Sequence, residues 1–191
     1  QEEKVQLLGK IILNQWEILV KNINKPAENI PQVLTLYKEV LKIYNYSLED
    51  PEDITLMWTD DNYGYIRRLC NKAEQQRKGG SGVYYDLSYW GRPHDYLWLS
   101  TTQPGLIWYE MTRAYKNGAK KMWIFNVGDI KSSEYNMELF LDLARDVNSI
   151  NETTIKKHLV DWNIREFGKE KAKDIAIVLD EYYRLAFLRK T

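Results

Sequence analysis

Residues 54–62 read ITLMWTDDN. Ile54–Thr59 is a short, apolar, β-prone run. It stops at Asp60, Asp61 and Asn62, residue types that are rare in strands and frequent at helix caps. A buried strand ending in a polar cluster and leading into a helix is the repeating unit of a parallel α/β sheet. The arrangement recurs downstream. Val83–Tyr89 (VYYDLSY) is a second β run and is followed by a helix over Gly105–Lys116, closed by Asn117-Gly118. Lys121–Asn126 (KMWIFN) is a third, passing through Val127, Gly128 and Asp129 to a helix over Glu134–Val147. The runs are almost continuously apolar, as parallel strands covered on both faces are. The predicted fold class is therefore α/β, with about three βα units and parallel strands. Three strands cannot close an eight-stranded barrel. The chain is then either a small open sheet or part of something larger.

Upstream, Val5, Leu8, Ile12, Trp16, Leu19 and Ile23 recur at intervals of three and four and predict an amphipathic helix over 4–23. Pro26 and Pro31 bracket a loop, a second helix is predicted over Val33–Tyr44, and Leu48–Asp53 reads as a turn. The segment Tyr63–Gln76 also reads as helical. Downstream of residue 150 the pattern changes to two helices, Thr153–Phe167 and Lys169–Leu188, broken at Gly168. The expected division is an α/β part over 1–150 and the start of an all-helical region over 151–191.

The 191 residues carry 27 basic and 27 acidic side chains. That balance excludes a nucleic-acid binder working by phosphate neutralisation and a polybasic membrane anchor. No apolar run approaches the roughly 18 residues of a membrane span. The single cysteine, Cys70, excludes an internal disulfide framework. His94 and His158 lie far apart in sequence and show no metal-ligand spacing. The start, QEEK, has no signal-peptide character, which suggests a removed signal or an excised piece.

Candidate chemistry lies at the carboxyl ends of the β runs, where α/β folds bind ligands. Asp60, Asp61 and Asn62 follow the first; Asp86, Ser88, Tyr89 and Trp90 the second; Asn126 and Asp129 the third. Either aspartate of the first cluster could simply cap a helix, but a cap needs one acceptor, not three. Glu39 sits mid-helix or at a loop–helix junction near Tyr37 and, taken alone, reads as a solvated helical glutamate. The loop Gly79-Gly80-Ser81-Gly82 follows a helix and opens a strand, the reverse of a phosphate loop. With 7 Trp, 14 Tyr and 4 Phe the chain is rich in rings. Trp108, Trp123 and Phe125 read as packing. Tyr89, Trp90, Tyr96 and Trp98, interleaved with Gly91, Arg92, Pro93, His94 and Asp95, have the composition of a sugar-stacking loop.

The strings WTDDNYG, GGSGVYYDLSYWGRPHDY and NVGDIK, within a match running from about Val33 to the end of the chain, resemble glycoside hydrolase family 115, the xylan α-1,2-glucuronidases. The resemblance implies a large enzyme with a (β/α)8 barrel, of which this chain would be the later units and the start of a helical domain. It implies removal of glucuronic or 4-O-methyl-glucuronic acid from xylan side chains with inversion and without a cofactor. It further implies a homodimer that is secreted or periplasmic. Glu39 falls where the family has an essential glutamate, and Asp60 and Asn62 match pocket residues. Tyr89 and Asn126 match substrate-contacting positions. Glu39 and Asp60 are thus the candidate catalytic pair, with Asn62, Tyr89 and Asn126 binding substrate; the second carboxylate could also lie upstream of this chain. Asp86 departs from the family, where a histidine is common. As a fragment the chain is expected to be inactive alone. The alternative is a non-catalytic carbohydrate-binding or scaffold module on the same fold.

Overall fold

The computed structural model describes residues 2–46, 48–91 and 98–188. Arg92, Pro93, His94, Asp95 and Tyr96, from the proposed sugar-stacking loop, lie outside them. The described elements alternate as the β runs predict. In chain order they are α1 (Glu2–Ile23), β1 (Val33–Leu36), α2 (Glu39–Tyr44), β2 (Thr55–Thr59), β3 (Ser81–Asp86), α3 (Pro104–Lys116), β4 (Ala119–Asn126), α4 (Ile130–Arg145), α5 (Ile155–Phe167) and α6 (Ala172–Leu188). The strands form one parallel sheet in the order β1-β2-β3-β4. Val33 to Leu36 align with Thr55 to Trp58, and Leu56 to Thr59 with Ser81 to Tyr84. The fold is an α/β sheet followed by a helical segment, as the sequence predicts.

Two segments differ from the prediction. The helix expected over Val33–Tyr44 is instead β1, a turn at Tyr37 and Lys38, and the six-residue α2. A four-residue strand is too short to display its period, so the spacing of Leu34, Tyr37 and Leu41 mimics a helix. Pairing with β2 decides the matter, and Lys38, at φ 45°, breaks any continuous helix. The sheet therefore has four strands where the β runs gave three. The helix expected over Tyr63–Gln76 is irregular backbone with one 3-10 turn at Glu74–Gln76. Side chains hold it: Asn71 N–H donates to Glu74 Oε2 and Glu74 N–H to Asn71 Oδ1, a reciprocal cap around one turn.

The chain divides into two compact units. The first comprises Gln1–Thr59, Arg68–Tyr84 and Asn117–Trp123. There Ile12, Leu48 and Ile54 are buried, with Val5, Leu8, Leu34 and Tyr44 packed around them. β2 is buried along its whole length. Trp58 is fully enclosed; its indole N–H donates to Cys70 Sγ at 3.1 Å, and Arg68 lies 4.6 Å from its ring. Cys70 is thus a packed core residue whose thiol donates to Ser81 Oγ.

The second unit comprises Asp60–Arg67, Tyr85–Lys116 and Ile124–Thr191. In its core Tyr85 stacks on Phe140 with ring centroids 6.3 Å apart, and Phe125 meets Phe140 edge-on at 5.3 Å. Leu139 and Leu143 of α4 and Ile107 and Met111 of α3 are fully buried. Tyr135 of α4 meets Trp162 of α5 at 5.5 Å and Tyr183 of α6 at 6.3 Å, so one ring joins three helices. Among the described residues no helix is long and apolar enough to cross a membrane.

Candidate active site

β2 runs directly into Asp60, whose backbone forms an isolated antiparallel bridge with Ile66. That bridge closes a small loop, and Asp61 builds its interior. Asp61 Oδ1 accepts from the N–H groups of Tyr63 and Tyr65 at 2.9 and 3.1 Å, and its Oδ2 accepts from Arg67 Nε at 2.6 Å. Gly64, at φ +87°, supplies the left-handed turn, and Tyr85 Oη donates to its carbonyl at 2.9 Å. Asp61 is therefore the turn-making aspartate, and it caps no helix. Asn62 sits half-buried in the same loop.

Asp60 is different. It is only 4% exposed. Its Oδ1 accepts from the backbone N–H of Asp86 at 3.0 Å, while its Oδ2 is buried with no hydrogen-bond partner among the described residues. Burial drives its pKa well above the ordinary aspartate range, and the negative charge of Asp86 adds to the effect. A carboxyl group held there stays protonated at pH values where ordinary aspartates are ionised. Such a group can give a proton to a leaving oxygen.

Asp86 ends β3 and is itself buried. Its Oδ1 accepts from Asn126 Nδ2 at 2.9 Å. This contact fixes the Asn126 amide with its nitrogen on Asp86 and its oxygen directed away from it. Asn126 ends β4 and is exposed, and its carbonyl accepts from Leu87 N–H at 2.9 Å. Asp60, Asp86 and Asn126, each from the carboxyl end of a different strand, are thus joined in one hydrogen-bonded series. Sequence reasoning selected Asp60 and Asn126; it noted Asp86 but gave it no role. What it could not show is that Asp86 connects the other two.

Rings border this unit. Trp90 is 56% exposed, and its indole N–H donates to Ser88 Oγ at 3.0 Å. Its ring lies against Gly128, so close that a Cβ there would fall inside the indole. Tyr89 is half-buried, its ring over Gly91. Trp98 is exposed, and Ser132 Oγ donates to its carbonyl. Trp108 and Phe125 pack as predicted: the Trp108 N–H donates to Ile150 O at 3.0 Å, and Phe125 meets Phe140.

Glu39 belongs to the first unit. It is not mid-helix. It is the first residue of α2, directly after the left-handed Lys38 and three residues past the end of β1. The side chain is exposed, and it lines a cavity of about 140 Å³ with Lys4, Lys42, Ile43 and Tyr46. A non-glycine residue at positive φ is uncommon, and such residues collect at functional sites.

Comparison with known proteins bears on these features. The chain matches the family model "Glycosyl hydrolase family 115" over residues 1–191. Among solved structures it is similar to BtGH115A, described as a family GH115 4-O-methyl-α-glucuronidase with specificity for decorated arabinogalactans. The TM-score is 0.92 at 51% sequence identity, and the match covers 97% of this chain but 24% of that one. No curated protein matches the chain at a significant level. With a family model spanning its whole length, the chain belongs to glycoside hydrolase family 115.

Proposed function

We propose that the chain is part of an α-glucuronidase that removes glucuronic or 4-O-methyl-glucuronic acid from the side chains of a plant glycan by a single inverting displacement. The observation that carries this reading is Asp60: a buried carboxyl group at a strand's carboxyl end, with one oxygen engaged by Asp86 N–H and the other unpartnered among the described residues. In this mechanism the protonated Asp60 gives its proton to the glycosidic oxygen as the bond to the anomeric carbon breaks. A second carboxylate takes a proton from water attacking the opposite face; inverting enzymes hold the two about 6.5–9.5 Å apart. Glu39 is the candidate for that base through the family resemblance and its position after the strained Lys38. Asn126 offers its amide oxygen to a sugar hydroxyl, with Asn62 and Tyr89 as further contacts, and Trp90 offers an exposed ring face.

Family membership favours glucuronoxylan as substrate, while the similarity to BtGH115A favours a glucuronic-acid-decorated arabinogalactan. Release of uronic acid from each polymer by the intact enzyme separates the two. The isolated chain is proposed to be inactive, since it spans a quarter of its structural relative. A homodimer outside the cytoplasm, where the polymer is, completes the proposal. The test of mechanism is Asp60→Asn in the intact enzyme. If Asp60 is the acid, hydrolysis of the polymer falls by about 10²–10⁴. An aryl glucuronide, whose leaving group needs no proton, is spared most of that loss. Equal loss on both substrates would remove Asp60 from the acid role. Unchanged turnover on both would place the catalytic acid elsewhere, and absence of turnover by the parent enzyme would favour a non-catalytic binding module.

A further inference from the structure

We propose that Glu138, Asp142 and His158 form a binding site for a divalent transition metal of the zinc class, tying α4 to α5. The sequence gives no hint of it, because its ligands come from two helices and have no characteristic spacing along the chain. Glu138 and Asp142 are four residues apart on α4 and share a face. His158 projects from α5. One ligand atom from each of the three lies within 4.8 Å of the others. His158 Nε2 is 3.0 Å from Asp142 Oδ2, so the two need part by only a few tenths of an ångström to reach the about 3.3–3.6 Å of two ligands on a tetrahedral ion with bonds of about 2.0–2.2 Å.

The imidazole is held for this role. Its Nδ1 lies 3.4 Å from Tyr135 Oη, and its ring packs 5.7 Å from the Tyr135 ring. Metal-bound histidines characteristically give their second N–H to a fixed acceptor, which sets the ligating tautomer. With neutral His158 carrying its proton on Nδ1 toward Tyr135, the Nε2 lone pair faces the Asp142 carboxylate, and a metal ion between them would relieve that repulsion. The side chains of His158, Asp142 and Glu138 are 17%, 43% and 35% exposed, open enough for an ion to enter and for water to complete its shell.

Arg165 already holds both oxygens of Glu138 at 2.6 Å. A carboxylate has about four lone-pair sites, so this fork leaves room for a metal on the same group. Charge agrees: Arg165 pairs with Glu138 and Glu166, Lys131 interacts with Glu166 at longer range, and a dication would offset the charge of Asp142. The mixed imidazole and carboxylate set favours zinc, nickel or copper over calcium or magnesium. The competing arrangement needs no metal: Tyr135 O–H donates to Nδ1, and Nε2–H donates to Asp142.

Titrating the 191-residue chain with Zn²⁺ and separately with Ca²⁺, by calorimetry and by thermal melting, distinguishes the two. The expected result is one saturable Zn²⁺ site with a raised melting temperature and no matching Ca²⁺ effect. His158→Gln and Asp142→Asn should abolish it. His94→Gln, which removes the other histidine of the chain, should leave it intact. Tyr135→Phe keeps the packed ring and should weaken binding about tenfold by releasing the imidazole. Absence of saturable Zn²⁺ binding, or undiminished binding by His158→Gln, would overturn the proposal in favour of the plain hydrogen-bonded pair.

Discussion

The backbone N–H of Asp86 donates to Asp60 Oδ1 at 3.0 Å, and no partner among the described residues reaches Asp60 Oδ2. Hydrogen bonds from two backbone N–H groups, of Asp86 and of Asp60 itself, are too little compensation for a buried carboxylate, so the folded chain favours the protonated form. The ordinary value is 3.8, and burial, followed by the charge of Asp86, raises it well above that. A raised folded pKa means that the folded state binds more protons than the unfolded state in the window above 3.8. Stability associated with Asp60 is therefore fullest below that value and is lost as pH climbs through the window. Asp60→Asn removes the linkage while keeping an acceptor for Asp86 N–H. Urea melts of variant and parent should diverge as pH rises from about 4 to about 8, the variant gaining about 1.4 kcal/mol for each unit by which the native pKa was raised. Curves that stay parallel would show that Asp60 ionises normally in the folded chain.

Asp86 has two effects on its neighbours, and Asp86→Asn separates them. Losing its charge lowers the proton affinity of Asp60. If Asp60 must be protonated to act, the alkaline limb of the intact enzyme's pH–rate profile should move to lower pH. The asparagine oxygen can still accept from Asn126 Nδ2, so substrate affinity should change little. Asp86→Ala removes both the charge and the acceptor on Asn126. It should raise KM as well as shift the limb, by about three- to tenfold for one lost positioning bond worth about 1 kcal/mol. A profile unmoved by Asp86→Asn would disconnect Asp86 from the acid.

Two glycines should fail in distinguishable ways when replaced by alanine. At Gly82 the new Cβ would collide with the carbonyl oxygen of Met122, which is backbone in β4. The strand cannot step aside, so Gly82→Ala should cost about 3 kcal/mol or more in a urea melt. At Gly128 the obstacle is the indole of Trp90, a half-exposed side chain that can swing away. Gly128→Ala should therefore leave stability within about 1 kcal/mol while breaking the Trp90–Ser88 hydrogen bond. Its signature is altered tryptophan fluorescence and, in the intact enzyme, a higher KM with kcat preserved.

The parts of this chain that could be read in advance are those whose signal is local. β2, β3 and β4 stand out because three or four consecutive apolar or aromatic residues are followed within two positions by Asp or Asn. α3 to α6 stand out through their periodicity and through breakers such as Gly118 and Gly168. β1 did not, since four residues carry no period and Val33–Leu36 becomes a strand only by pairing with β2. The Asp60–Arg67 loop was also hidden, because its shape depends on one side chain, Asp61, collecting two N–H groups and an arginine. At the site, residue types at strand ends pointed to Asp60 and Asn126. The resemblance alone singled out Glu39, whose exposed, helix-like context carries no chemical signal. The role of Asp86 exists only in three dimensions.

Glu110 is the residue we expect to hold the Asp60 loop in place from behind. It lies on α3 and is only 2% exposed. Its Oε2 accepts from Ile66 N–H at 3.3 Å and from Arg113 Nη2 at 2.5 Å. Arg113 in turn donates to the Ile66 carbonyl. Both backbone groups of Ile66 are thus tied to one buried ion pair, and Ile66 is the residue whose backbone bridges Asp60. Removing one member of such a pair leaves the other uncompensated, at a cost of about 3–5 kcal/mol when fully buried. Arg113 is a third exposed, so water recovers part of this, and Glu110→Ala should cost about 2–3 kcal/mol. Glu110→Gln keeps an acceptor for Ile66 and should cost less. The distinguishing measurement is hydrogen exchange. In Glu110→Ala the Ile66 amide should exchange faster by more than the global loss of stability accounts for, while core amides of α4 such as Leu139 follow that loss alone. If Ile66 slowed or moved only with the core, Glu110 would be a general stabiliser and the loop would owe its shape to Asp61 and Gly64.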